Sequence, residues 1–248
     1  MANEPFPTKP LVRLATCVLR PYHASDLEPM CAAANDPDIV RFMRDAFPSP
    51  YDREAGLTWL RICNVDGLPP SDTTEQSEGG KEESTERSEG GKEGGEMRGL
   101  KRSEALPLGT PAPSAPSPDV NLAICLLDGT FVGGTGLRAM SADGTDRYSR
   151  EIGYWIGKAF WGRGLATEVA AGLGRWALSA ESGILTKDGR PLRRVEAGVY
   201  AENLASARVL ERAGYVREGV RRQAVVKNGV MQDVVVYGLI ASDVEVKE

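Results

Sequence analysis

The segment from Tyr154 to Leu178, YWIGKAFWGRGLATEVAAGLGRWAL, constrains the fold more than any other stretch of the chain. It runs from apolar and aromatic residues through Gly162 and Gly164 directly into a run whose apolar residues have helical spacing. Glycine is conformationally costly at such a position, so its presence needs a reason. The residues alone allow three: a tight turn, a close approach to a neighbouring strand, or an anion on the free amides of a helix N-terminus.

The run after the turn predicts a helix with one apolar face. That face comprises Leu165, Ala166, Val169, Ala170, Leu173, Trp176 and Ala177. Alternation and turn residues predict the remaining elements. They are a strand at 11–20, helices at 27–35 and 53–64, strands at 120–128, 130–140 and 148–157, the helix at 165–177, a strand at 193–200, a helix at 204–213 and a hairpin at 223–240. This order predicts a mixed α/β fold, with a mostly antiparallel sheet and helices on both faces.

Residues 66–118 differ from the rest of the chain in composition. They are rich in Gly, Ser, Glu and Lys and then in Pro and Ala, and the hexamer SEGGKE occurs at both 77–82 and 88–93. Such a segment cannot bury enough apolar surface to offset its conformational entropy. We therefore predict a single domain over residues 1–248, interrupted by a disordered low-complexity insertion at 66–118. The insertion is either a passive surface loop or a regulatory arm.

The charge and the cysteine content argue against several classes of function. The formal net charge of −5 arises within the insertion, so the folded part has no basic bias toward nucleic acid. Four scattered cysteines and a single histidine, with no CxxC pair, predict no metal site. Because the cysteines lie in apolar contexts, and because neither a signal peptide nor a membrane segment is evident, we expect a cytoplasmic or nuclear protein that does not bind membranes.

Known nucleotide motifs do not explain the glycine turn. No GK[ST] sequence follows it, and Thr167 stands where a Rossmann fingerprint needs its third glycine. Three segments taken in order, however, resemble the GNAT superfamily of acetyl-CoA-dependent N-acetyltransferases: residues 151–178, 199–219 and 228–240. The resemblance covers 11–240 apart from the insertion. It is strongest to the branch of the bacterial RimJ and RimL ribosomal-protein N-terminal acetyltransferases.

One position departs from the family pattern [QR]xxGx[GA]. Its first residue is Trp161 here, whereas Gly164 and Ala166 fit. The resemblance implies a GNAT-like fold, acetyl-CoA as cosubstrate, and direct transfer in a ternary complex. It further implies that the pantetheine arm enters between the strands at 152–157 and 195–200. The implied cofactor-binding residues are Ile156, Gly157, Gly162, Arg163, Gly164, Leu165, Ala166, Thr167, Asn203 and Ser206.

The resemblance also implies catalytic roles for Glu151, Ser206 and Asn203. Acetylation needs a neutral amine, yet the ordinary pKa is about 10.4 for a lysine-type amine and about 7.7 to 8.0 for an α-amine. A base must therefore remove a proton, and Glu151 lies close to where several relatives carry one. The residues alone leave Glu151 either a base or a solvated strand-edge glutamate. Ser206 is either the acid for the coenzyme A thiolate or a local cap, and Asn203 is either a cofactor contact or a helix cap.

The acceptor is left open between two kinds of amine. The RimJ and RimL branch points first to a protein N-terminal α-amine, while a small-molecule amine such as an antibiotic or a polyamine is the second candidate. The acceptor pocket is expected around residues 36–51 and the hairpin at Asn228, and the oxyanion is expected on the amide of Ile156 or Gly157. A monomer or homodimer is expected. The alternative function is an inactive coenzyme A-binding sensor or interaction module.

Overall fold

The computed structural model describes residues 5–69, 119–140, 145–182, 184 and 189–245. From residue 70 onward the predicted insertion lies outside the described residues. Its disorder, and the division of the chain into one domain with an insertion, therefore stay predictions.

The described strands form one eight-stranded sheet in the order β1-β2-β3-β4-β5-β6-β8-β7. Their bounds are β1 Val12–Arg13, β2 Cys17–Pro21, β3 Val120–Leu126, β4 Phe131–Arg138, β5 Ser149–Ile156, β6 Arg194–Tyr200, β7 Val216–Lys227 and β8 Val230–Ile240. Every neighbouring pair is antiparallel except β5 and β6, which are parallel. The sequence prediction of a mostly antiparallel mixed sheet is confirmed.

Six α-helices are present in the described part of the chain. They are α1 Leu27–Ala34, α2 Pro37–Val40, α3 Arg53–Ile62, α4 Leu165–Leu178, α5 Leu204–Ala213 and α6 Ala241–Glu245. The apolar residues of α4 and α5 pack in one core cluster with Cys17 and Leu19, whereas those of α1 and α3 pack in another with Val18. Successive strand residues point to opposite faces, so the two clusters lie on opposite sides of the sheet, as predicted.

Two elements differ from their predicted bounds by more than two residues. The predicted strand at 11–20 is two strands, because the chain turns at residues 14–16 and Leu14 N–H donates to the Cys17 carbonyl at 2.9 Å. The last hairpin begins at Val216 rather than residue 223, with register shifts along β7. At one of them Gln223 has a φ of 48° and its amide donates to the Asp233 carboxylate at 2.7 Å. These irregularities break the alternation that would have revealed the first half of β7.

Candidate functional site

The sheet opens between its two parallel strands. Pairing of β5 with β6 covers only residues 149–151 and 194–196, although both strands continue beyond that point. Gly157 N–H donates to the Val132 carbonyl at 2.8 Å, so the amide of Gly157 points toward β4. Because alternate amides of an antiparallel strand point to opposite edges, the amides of Tyr154 and Ile156 point into the opening. The opening therefore presents free backbone donors in the middle of the sheet.

The glycine turn lies at the end of this opening. Gly162 has a φ of 75° and Gly164 a φ of 79°, both in the left-handed region that favours glycine. A Cβ atom at either position would meet nothing within 4 Å, so close approach to a neighbouring strand is not the reason for these glycines. Gly164 is the N-cap of α4, and no side chain caps the helix. The first amides of α4 are thus available to an anion, as the third interpretation of the sequence requires.

Trp161 connects the turn to the opening. Its indole Nε1–H donates to the Ile156 carbonyl at 2.6 Å, which holds the turn against the end of β5. The sequence identified Trp161 only as a departure from the family pattern. Its structural role depends on a contact with a residue five positions earlier, and the pattern itself contains no signal for that contact.

Ser206 and Asn203 lie together at the start of α5. The Asn203 side-chain oxygen accepts from Ser206 N–H at 3.0 Å, so Asn203 caps the helix. The Ser206 hydroxyl lies 2.8 Å from the hydroxyl of Tyr154 on β5. Burial raises the pKa of the Tyr154 phenol to about 12, while its contact with Ser206 lowers it and the nearby Tyr237 raises it. The structure thus brings together two predicted residues and a tyrosine that the sequence analysis did not select.

Glu151 lies on the opposite face of β5. Arg44 Nη2 donates to its Oε1 at 2.7 Å and to its Oε2 at 2.9 Å, and Arg138 also contacts Oε2. The Glu151 side chain is 23% exposed, whereas that of Arg44 is 57% exposed. Glu151 is therefore neither a fully solvated glutamate nor an isolated buried one. It is a half-buried carboxylate held between two guanidinium groups, and it makes no contact with Ser206 within the described residues.

Residues 36–51 cover this charged face of the sheet. Asp45 pairs with Lys227 at 2.9 Å and accepts from the amide of Asn228 at 3.2 Å, which joins the segment to the tip of the β7–β8 hairpin. Asp38 pairs with Lys158 in the turn after β5 at 2.5 Å. The structure thus joins the two segments expected around the acceptor, although acceptor binding there stays a prediction.

Gly153 leaves an open space on the same face. It lies in the middle of β5 between Glu151 and Trp155, is exposed, and would place a Cβ atom within 4 Å of nothing. Trp155 is covered by Phe47, with 6.2 Å between the ring centroids. The space over Gly153 is therefore bounded by a carboxylate at one end and by aromatic rings at the other.

Among the described residues, no three side chains of the types that bind metals lie together. In that same part of the chain, no helix has both the length and the apolar character needed to cross a membrane.

Comparison with known sequences gives one family and several relatives. Residues 103–216 match the acetyltransferase (GNAT) domain. YjcK of Bacillus subtilis (strain 168), named a probable N-acetyltransferase, is 38% identical over 94 residues, which are 38% of this chain and 47% of YjcK. YdaF of the same organism, provisionally named a ribosomal N-acetyltransferase, is 32% identical over 122 residues, which are 48% of this chain and 59% of YdaF. Each match spans less than two thirds of the relative's own length.

Comparison with solved structures extends over nearly the whole chain. Mycobacterium smegmatis RimJ, solved in complex with a CoA-disulfide, superposes with a TM-score of 0.60. The superposition covers 97% of this chain and 89% of that one at 20% sequence identity. At this level of identity the likeness establishes the fold.

Proposed function

We propose that this chain, which carries a GNAT acetyltransferase domain, transfers acetyl from acetyl-CoA directly to a primary amine in a ternary complex. The observation that carries the proposal is the opening between β5 and β6 beside the uncapped N-terminus of α4. A slender thioester arm fits such an opening, and its anionic end meets the helix N-terminus. Ser206 borders one side of the opening and Glu151 the other.

The glycine turn supplies the proposed coenzyme A site. The amides of residues 162–167 bind the pyrophosphate, since the left-handed glycines leave them uncovered and the helix N-terminus carries partial positive charge. Arg163 adds a guanidinium in the turn. The arm then passes along the free edge of β5 and meets Asn203 and Ser206 at the start of α5.

In the proposed reaction the amine nitrogen forms a bond to the thioester carbonyl carbon as the carbon–sulfur bond breaks. The nitrogen loses one proton and the sulfur gains one. The developing oxyanion accepts a hydrogen bond from a main-chain N–H group. We propose the N–H of Ile156, because that of Gly157 already donates to the Val132 carbonyl. Ser206 donates its proton to the departing sulfur and regains one from solvent after coenzyme A leaves.

Glu151 is proposed as the proton acceptor on the other face, acting directly or through water. Its carboxylate is held in place by Arg44 and Arg138. Arg44 is more than half exposed, so a cationic amine entering over Gly153 can displace its guanidinium. Surface ion pairs of this kind contribute only about 0 to 1 kcal/mol to stability. Replacing the Arg44 guanidinium by the amine therefore costs little free energy.

The acceptor is proposed to be a protein N-terminal α-amine. An α-amine, with an ordinary pKa of about 7.7 to 8.0, is far more easily deprotonated at neutral pH than a lysine-type amine at about 10.4. Two guanidinium groups beside Glu151 disfavour a polycation such as a polyamine. The provisional name of YdaF, a ribosomal N-acetyltransferase, supports a protein acceptor. A small-molecule monoamine is the second candidate.

A binding and transfer panel tests the proposal. Calorimetric titration with acetyl-CoA is compared with 3′-dephospho-acetyl-CoA and with acetate. Thiol release and product mass are then followed with peptides beginning with Ala or Ser, with polyamines and with aminoglycosides. We expect binding of acetyl-CoA and turnover with the peptides. Tight binding without turnover of any amine would instead identify a coenzyme A-binding module.

A further inference from the structure

Tyr154 connects the strand that borders the opening to the helix that carries Ser206. It lies on β5, packs against the core cluster beneath α4 and α5, and places its hydroxyl 2.8 Å from Ser206 Oγ. Within the described residues, Ser206 is the sole hydrogen-bond partner of that hydroxyl. We propose that Tyr154 is a positioning residue that orients the Ser206 hydroxyl toward the departing sulfur, an inference that rests on the proposed acetyl transfer.

The direction of this hydrogen bond follows from the two groups. A phenol is a stronger acid than an alkyl alcohol, so the phenol is the better donor and the serine oxygen the better acceptor. When Tyr154 donates to Ser206, the serine proton is released from that contact and can point into the opening. Burial raises the pKa of the phenol to about 12, so the donor remains protonated at any pH at which the enzyme would work.

The contact with Tyr154 matters because a serine at this position has other hydrogen-bond partners available. A serine in the first turn of a helix commonly bonds to nearby backbone groups instead of to a substrate. Here Asn203 fixes the Ser206 backbone through its amide, at 3.0 Å, and Tyr154 fixes the side-chain oxygen. The two contacts together leave the hydroxyl proton as the one part of Ser206 free to interact with a ligand.

The variant Tyr154→Phe removes only the phenol oxygen. Because one neutral hydrogen bond contributes about 0.5 to 1.5 kcal/mol, we expect kcat to fall about three- to tenfold. The Kd for acetyl-CoA and the KM for the acceptor should not change, since neither binding surface is altered. Tyr215→Phe is the matched control: its hydroxyl lies in the same core cluster but donates to the Ala170 carbonyl at 3.3 Å, away from Ser206.

A double-mutant cycle separates positioning from a merely structural role. If Tyr154 acts through Ser206, Tyr154→Phe has no further effect on kcat in a Ser206→Ala background. An equal loss in both backgrounds, or an unchanged kcat for Tyr154→Phe in an active enzyme, would overturn this inference and leave the proposed function intact. Absence of acetyl transfer by the unaltered protein would overturn both. Thermal unfolding of each variant confirms that the compared proteins are folded.

Discussion

The two faces of β5 present opposite kinds of chemistry. On one face Glu151 is half-buried and forms ion pairs with the long side chains of Arg44 and Arg138. On the other face Tyr154 is neutral, half-buried and hydrogen-bonded to Ser206. Alternate strand residues point to opposite faces, so one strand can serve both sides of the opening. A ligand between β5 and β6 would thus meet the carboxylate of Glu151 from one face and the hydroxyl of Ser206 from the other.

The two faces are also held in different ways. The charged face is covered by residues 36–51, which are attached through the packing of Phe47 on Trp155 and through the pairs of Asp38 with Lys158 and of Asp45 with Lys227. The neutral face is covered by α4 and α5, which pack on the sheet through buried apolar residues. Ion pairs at the surface weaken with salt and apolar packing does not. We therefore expect the acceptor side to be the more adaptable and the cofactor side the more rigid.

Ser206→Ala tests the neutral face and has the largest expected effect. A positioned acid or base contributes about 10²- to 10⁴-fold, so we expect kcat to fall at least 10²-fold, whereas the Kd for acetyl-CoA, which loses a single contact, should change much less. Single-turnover thiol release measures the loss. Ser179→Ala is the control, since that hydroxyl bonds to the Trp176 carbonyl at the far end of α4. A loss below threefold would remove Ser206 from the reaction.

Gly153→Val tests the charged face. The Cβ atom of the new side chain meets nothing within 4 Å in the free protein and valine favours strands, so the free energy of unfolding should not fall. An acceptor over Gly153 would be destabilised by about 1 to 3 kcal/mol, which lowers kcat/KM for the amine about five- to 150-fold. Gly219→Val, at an equally open position in β7, should change neither property. Unchanged acceptor kinetics in Gly153→Val would place the amine elsewhere.

The raised pKa of Tyr154, on the neutral face, predicts that its contribution to the free energy of unfolding decreases at alkaline pH. The ordinary pKa of a tyrosine is 10.0 and that of Tyr154 is raised to about 12, so the unfolded chain loses this proton first. The protonated phenol contributes fully to the free energy of unfolding below pH 10, and this contribution is lost as the pH rises through 12. Between pH 9 and pH 11 the stability advantage of the unaltered protein over Tyr154→Phe should shrink by about 1 kcal/mol. Urea unfolding at each pH measures it, and a constant difference would contradict the shift.

Arg44→Ala has the smallest expected effect. Removing the guanidinium that competes for Glu151 should lower the KM of a cationic acceptor about two- to fivefold, and added salt should reduce the difference. Arg53→Ala, which breaks the exposed pair with Glu28, is the control. A rise in KM would mean that Arg44 binds the acceptor itself.

Local patterns were sufficient for much of the fold. The glycine turn into α4, the hairpin turns at Asp128-Gly129 and Asn228-Gly229, and the amphipathic face of α5 each depend on residues within a few positions of one another. The bulges of β7 and the break between β1 and β2 escaped prediction, because a register shift erases the alternation on which a strand prediction depends.

By itself the sequence determined the order of the main strands and helices, the glycine turn before α4, and the resemblance that directed attention to Glu151 and Ser206. Only the tertiary structure decided where the pairing of β5 with β6 ends, that Tyr154 meets Ser206, and that Arg44 holds Glu151. Those contacts join residues far apart in the chain, and their geometry depends on how whole elements pack. Spacing along a sequence carries the period of a helix or strand, but it does not carry the distance between two side chains on different elements.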